Sequence, residues 1–265
     1  MRVNPARTHL VWLVFWPLVC ALACVPADPP GGPKRKSRAS VLGSSSSGER
    51  ERPAGRARAP AARGEVDAAV LLTPFQDDFE RATLGPDYRP TSGVWHVRDG
   101  RLCGQGARNR PVWLVPRLPR NARIEFEAAS DSPDGDIKVE AWGDGRSRAT
   151  GVSYADATSY LFVFGGWKNT LHVLARLDEH GDDRREVRLD PESDDPRTQT
   201  VEPGRTYHFR LERRDGKTVR FHVDDIEILT LVDPEPLTGA GHEHFAFNGW
   251  ETPVCFDNLD ILPLD

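Results

Sequence analysis

The segment ARLDEHGDDRREV, Ala175 to Val187, holds an unusually dense run of ionisable groups directly after a regular apolar stretch. Asp178, Glu179 and His180 stand side by side in it, and a carboxylate next to an imidazole can be tuned toward neutral pH for proton transfer. The same letters also describe a charged surface turn. A second pattern supplies aromatic faces: LFVFGGWKNT (Leu161 to Thr170) and HFAFNGWET (His244 to Thr252) share the phrase Phe-x-Phe-x-Gly-Trp. Hard oxygen ligands suited to calcium occur as Asp131, Asp134 and Asp136 in SDSPDGDI, and His242 and His244 in GHEHF could present two imidazoles. Neither spacing is that of a defined metal motif, and solvated turns explain both. There is no Gly-rich phosphate loop and no setting for a nucleophilic serine.

Positioning such groups falls to strands. Between Phe75 and Asp265 the sequence alternates in short segments rich in Val, Phe, Tyr, Ile and Thr, broken by DG, GDG, RDGK and DD turns. That pattern predicts an antiparallel sandwich or barrel. RTYHFRLERRDGKTVRFHVDD is the clearest hairpin, with Tyr207, Phe209 and Leu211 alternating before the turn and Val219, Phe221 and Val223 after it. Strand parity then places Phe162 with Phe164, and Phe245 with Phe247, on an inner face, while Trp167 and Trp250 fall on the outer one. Trp142 follows Val139 at the same odd spacing and is expected on that outer face too. The alternative is that the Gly-Gly and Asn-Gly steps bulge the strand and fold each Trp back as a plug over the core edge.

The remainder of the chain reads as export and tether. Met1 to Cys24 places Arg2 and Arg7 before the apolar run LVWLVFWPLVCALAC, in the manner of a secretory signal. Ala21-Leu22-Ala23-Cys24 suits either ordinary cleavage after Ala23 or, in its resemblance to the lipobox of bacterial lipoproteins, lipidation of Cys24; Ala21 departs from that box. The lipoprotein reading implies a cell-envelope location, outer membrane or cell surface, with the lipid as membrane anchor. Residues 25–70, rich in Pro, Gly, Ser, Ala and Arg, hold too few apolar groups to fold and are expected to be a disordered basic tether. Through Arg63 the net charge is +8, so the formal −5 of the whole chain leaves −13 for the rest. An acidic domain is a poor partner for nucleic acid. Cys103 and Cys255, the two cysteines beyond the signal, sit in predicted strands and are expected to pair in an oxidising compartment.

FQDDFE, WHVRDGRL, the Tyr-x-Phe-x-Leu hairpin, DPEPLTGAGH and FDNLDI together resemble the concanavalin A-like lectin/glucanase superfamily, and more narrowly its bacterial branch related to the 3-keto-disaccharide hydrolase domain. The resemblance spans Phe75 to Asp265. It implies an all-β jelly roll of two curved antiparallel sheets over residues 71–265, with first and last strands adjacent. It further implies a glycan on the concave sheet, with Trp142, Trp167 and Trp250 as platforms and Asn169, Arg176, His180, Asn248 and Glu251 at the rim. The Glu-x-Asp-x-Glu triplet of the superfamily's glucanases is absent, which argues against an ordinary retaining glucanase. Three functions therefore stay open: a glycan-binding protein, an enzyme of the 3-keto-disaccharide hydrolase type using Asp178 to His180, and a structural envelope component.

Overall fold

The structure, a computed structural model, describes residues 68–265. The expected signal, Cys24 and all but the last three residues of the expected tether lie outside the described residues. In chain order the strands are β1 (Phe75–Asp77), β2 (Tyr88–Pro90), β3 (His96–Arg98), β4 (Arg101–Gly104), β5 (Val112–Leu114), β6 (Ala122–Ser130), β7 (Ile137–Gly143) and β8 (Tyr160–Gly165). They continue as β9 (Leu171–Arg176), β10 (Arg185–Arg188), β11 (Thr206–Arg213), β12 (Thr218–Val223), β13 (Ile226–Val232), β14 (His244–Gly249) and β15 (Val254–Pro263). They form two antiparallel sheets. One runs β13-β12-β11-β6-β15-β4-β3 with β1 added to β15; the other runs β10-β9-β8-β7-β14-β5-β2. This is the jelly-roll sandwich that the alternation and the resemblance implied, first and last strands adjacent.

Alternation decides the core. Phe126, Phe209 and Phe221 from the first sheet meet Phe162, Phe164, Phe245 and Phe247 from the second, all nearly inaccessible to solvent. Phe126 stacks on Phe209 with centroids 4.9 Å apart and meets Phe247 edge-on at 5.7 Å, geometries that aromatic quadrupoles favour. All six hairpin residues named above are buried as well. Cys103 and Cys255 face each other in register across β4 and β15, Cα atoms 4.1 Å apart, and are bonded.

Trp142 corrects the parity argument. It has no exposed surface and sits in the core beside Tyr160, with the Arg213 guanidinium 4.0 Å above its ring and its indole N–H donating to the Pro119 carbonyl at 3.1 Å. The cause is a β-bulge: β14 pairs Phe245 with Ala141 and His244 with Gly143, skipping Trp142, whose φ is +56°. One extra residue turns Ala141 and Trp142 to the same side, so Trp142 is no ligand platform.

The outer face of the second sheet is also less open than the resemblance implied. Residues 144–159 lie across it, and Ala149, Tyr154 and Ala157 pack on Leu161, Val163, Leu171, Val173 and Ala175 as a small second core. Bonds that strap this segment down include those from the Trp113 indole to the Ser147 carbonyl at 2.8 Å and from Ala149 N–H to the Asn109 carbonyl at 2.8 Å.

Candidate functional site

At the edge of that roof a cleft of about 580 Å³ remains, and the ends of both repeated phrases border it. After β8 the chain makes one turn, Gly166–Asn169, that winds left-handed at Trp167 (φ 52°, ψ 52°) and Lys168 (φ 59°, ψ 48°), with Asn169 at φ 59°. Left-handed backbone costs about 1–2 kcal/mol per non-glycine residue, so the surroundings must impose it. Gly165, at φ +71°, starts the turn where a Cβ would strike Val201. Its N–H donates to Nδ1 of buried His172 at 2.9 Å, and the other ring nitrogen lies 3.2 Å from the Gln199 carbonyl. Burial pulls the His172 pKa down to about 4, which keeps the ring neutral and able to accept that bond. Asn169 clamps the far end by donating to the Pro133 and Val201 carbonyls while accepting Val201 N–H. Trp167 is thereby held at the cleft, 36% exposed, with the Arg184 guanidinium 5.1 Å from its ring and His180 edge-on at 5.6 Å. Half-buried Trp250 follows β14 on the other strand end.

The floor is polar and buried. Lys138, on the outer face of β7, donates from Nζ to Glu179 Oε2 and to Asn109 Oδ1, both at 2.7 Å. Asn109 returns a bond to Glu179 Oε1 at 3.2 Å, the same oxygen that accepts Tyr154 N–H at 3.1 Å and lies 3.3 Å from His180 Nε2. Burial alone would raise the Glu179 carboxyl, but the Lys138 charge and these donors outweigh it and hold it below the usual range. Asp136, two residues before Lys138 on the chain, is buried with its Oδ2 unpartnered. Desolvation pushes its carboxyl up despite the nearby Lys138 and a bond from the Trp250 backbone.

One residue further along the outer face, Glu140 is fully enclosed. Its Oε2 accepts from Ser159 at 2.6 Å and Tyr154 at 3.2 Å, and its Oε1 accepts from Asn248 at 2.7 Å. Burial nevertheless raises it to about 7. In the unfolded chain an ordinary Glu releases its proton near 4.5, so between those values the native state holds a proton that the unfolded state has lost. Stability should therefore fall as pH rises from about 4.5 through 7, by about 3 kcal/mol from this group. Denaturant midpoints of Glu140→Gln across that window should show a shallower decline; an unchanged slope would mean that Glu140 does not titrate there.

The cleft gathers some of the expected residues and leaves others elsewhere. Trp167, His180, Trp250 and Glu251 line it, and Glu179 lies in its floor. Asn169 is fully used in clamping the turn, and Asn248 is buried beneath Glu140. Arg176 pairs with Asp233 at 2.9 Å, away from the cleft, and Asp178 caps its own loop through His180 N–H. Glu251 reaches the rim paired with Arg108 at 2.9 Å. Asp131 and Asp134 are exposed whereas Asp136 points inward, and His242 and His244 bond separately to the carbonyls of Thr158 and Leu114. Among the described residues no three His, Cys, Asp or Glu side chains form a group that could hold a metal. Sequence reasoning missed Asn109 and Lys138. The one available signal was Lys138 itself, a charge inside a predicted strand on the face opposite Val139.

No protein-family profile matches the chain, and no curated protein matches it. Solved structures do. A native glycosidic hydrolase is similar at a TM-score of 0.50 and 10% identity, over 74% of this chain and 98% of that one. A carbohydrate binding module from Bacillus subtilis is similar at 0.48 and 11% identity, over 68% and 96%. The carbohydrate recognition domain of Emp47p is similar at 0.48 and 12%, over 73% and 96%. At 10% identity the first of these shows a shared fold and nothing about the site.

Proposed function

We propose that the cleft binds a glycan. The observation that carries this reading is that the two Phe-x-Phe-x-Gly-Trp segments, distant in sequence, bring Trp167 and Trp250 to one cleft whose floor is a polar network. Apolar walls with a few convergent polar groups are what a ligand cleft of this size requires. A sugar ring has CH-rich faces that stack on indoles and a rim of hydroxyls that need planar donors and acceptors. Asn109, Asp136 and Glu251 supply such groups beside the two rings. The strained turn under Trp167 supports the same reading, because backbone held in costly conformations concentrates at ligand sites.

Trp167→Ala and Trp250→Ala are each expected to weaken glycan binding by about 10- to 30-fold, roughly 1.4–2 kcal/mol. The Trp167 variant should keep its melting temperature, since a third of that side chain already faces water. A glycan array with the full chain, followed by titration of the best hit against both variants, is the measurement. Loss of melting temperature with unchanged binding would make the tryptophans plugs rather than platforms.

A further inference from the structure

We propose that the cleft takes the terminus of a glycan chain rather than a stretch of its interior, and that Val152 on the roof is the apolar contact that meets the terminal ring. The inference rests on the glycan reading of the cleft and adds to it which part of a glycan fits.

The face of the second sheet offers no track for a long chain. In register across β8, β7 and β14, Val163, Lys138 and Asn248 form one outward row, and Leu161, Glu140 and Ala246 form the next. All of them are buried, the second row wholly so. The roof closes directly over that row, since Tyr154 and Ser159, themselves without exposed surface, both donate to Glu140. A polysaccharide laid along the strands would meet the roof at once. Only the space beyond the strand ends is left.

That space has a continuous rim. Arg108 and Asn109 are tied to the Trp250 turn, the first donating its N–H to the Trp250 carbonyl at 2.8 Å and the second to the Gly249 carbonyl at 3.0 Å. The Ala149 to Asn109 bond fixes the roof to this wall. On the opposite wall the roof is held by two bonds of 3.1 Å, from Tyr154 N–H to Glu179 Oε1 and from Glu179 N–H to the Tyr154 carbonyl. Arg184 carries the rim on to Trp167, donating to the Glu179 carbonyl at 2.9 Å while its guanidinium lies over the indole. Asn169 then joins the Trp167 turn to the Pro133 carbonyl at 3.1 Å, and Asp131 N–H reaches the carbonyl of Pro253, just past Trp250, at 3.3 Å. The ring is complete. A closed rim over a covered sheet leaves one mouth, so a chain entering there ends inside. A cleft of about 580 Å³ encloses most of a drug-sized molecule, and about two sugar rings make one.

Val152 shows what meets that end. Single exposed apolar side chains are ordinary. Four large ones are exposed among the described residues, however, and two of them, Val152 and Trp167, border this one mouth. Val152 stands 81% exposed between the roof's two anchors, Ala149 and Tyr154, and a Cβ on the neighbouring Gly151 would have nothing within 4 Å. Its backbone is fixed on both sides while its side chain is unused. That placement gives the terminal ring a third apolar contact beside Trp167 and Trp250.

The test titrates the full chain with maltose, isomaltose, cellobiose, laminaribiose, xylobiose and diacetylchitobiose, each beside its hexamer. The glycan array supplies a second comparison, between any terminal disaccharide that binds and the same disaccharide covered by a further residue. Where the array finds a different sugar, its terminal disaccharide and the longer parent enter the titration. Disaccharide and hexamer are expected to bind within about threefold of each other per molecule, because residues outside the mouth add no contact. Covering the terminal ring should cut binding at least about tenfold. Val152→Asp, at an exposed position, should keep the melting temperature and weaken both lengths by about five- to tenfold. A hexamer bound ~10-fold or more tighter than its disaccharide, or full binding to covered termini, sinks the terminus proposal and leaves the glycan reading standing. Unchanged binding in Val152→Asp removes that residue from the contact. Failure to bind any glycan overturns both readings together.

Discussion

Lys138→Met is expected to destabilise the domain by about 3–5 kcal/mol, because it strips the partner from Glu179 while leaving that carboxylate in place. Both side chains are almost wholly enclosed, at 4% and 7% exposure. In a domain of this size each kcal/mol moves the melting temperature by about 2–4 °C, so calorimetry should register a drop of about 10 °C. The sign of its pH dependence follows from Glu179, whose folded carboxyl lies below its ordinary value. Its contribution is present above about 4.5 and fades as pH falls through the folded value. The variant should accordingly lose most at neutral pH and least near pH 4, where an unpaired Glu179 can take up a proton. Adding Glu179→Gln to Lys138→Met should recover much of the loss, since the uncompensated charge disappears while an oxygen remains for Tyr154 N–H. A single variant within about 1 kcal/mol of the wild type would show that water screens the pair as it screens surface bridges.

The second large effect concerns the bond between Cys103 and Cys255. Replacing both by Ser should cost up to about 5 kcal/mol, because the bond closes a separation of 152 residues and removes that much loop entropy from the unfolded chain. It also fastens β4 to the start of β15, which itself pairs with β6 along most of its length. Reductant should lower the denaturant midpoint of the wild type to that of the double variant and leave the variant unmoved. In protein taken from its host and alkylated in denaturant without reductant, both cysteines should be found oxidised if the chain is exported to an oxidising compartment. Free thiols in that sample would count against the exported reading as well as the stabilisation.

The fold was legible because strands announce themselves by a period of two. Phe162 with Phe164, Phe245 with Phe247, and the Tyr207 to Val223 hairpin each place every second side chain inward, and burying them leaves two facing sheets as the available solution. The cysteine pair was legible for a related reason, since two lone thiols in predicted strands have few other partners. Glu179, His180, Trp167 and Trp250 were also singled out from their residue types, and the structure brings all four to one cleft.

Other features needed the tertiary structure. Parity assumes an unbroken ladder, and a single extra residue at the β7–β14 register shift carried Trp142 from the expected outer face into the core. Nothing local in VEAWGDG marks that bulge; it is decided by how β14 pairs. The roof of residues 144–159 was equally silent, because its small and polar residues look like any loop until Leu161, Val163 and Val173 are seen beneath them. Above all, the floor draws Asn109, Asp136 with Lys138, and Glu179 from three places along the chain. Whether a carboxyl such as Asp136 is a solvated turn residue or a buried acid depends on what surrounds it. Sequence by itself determined the sandwich and named half of the cleft, since period and residue type are local; burial and charge pairing are not, and the packing of distant strands decided the rest.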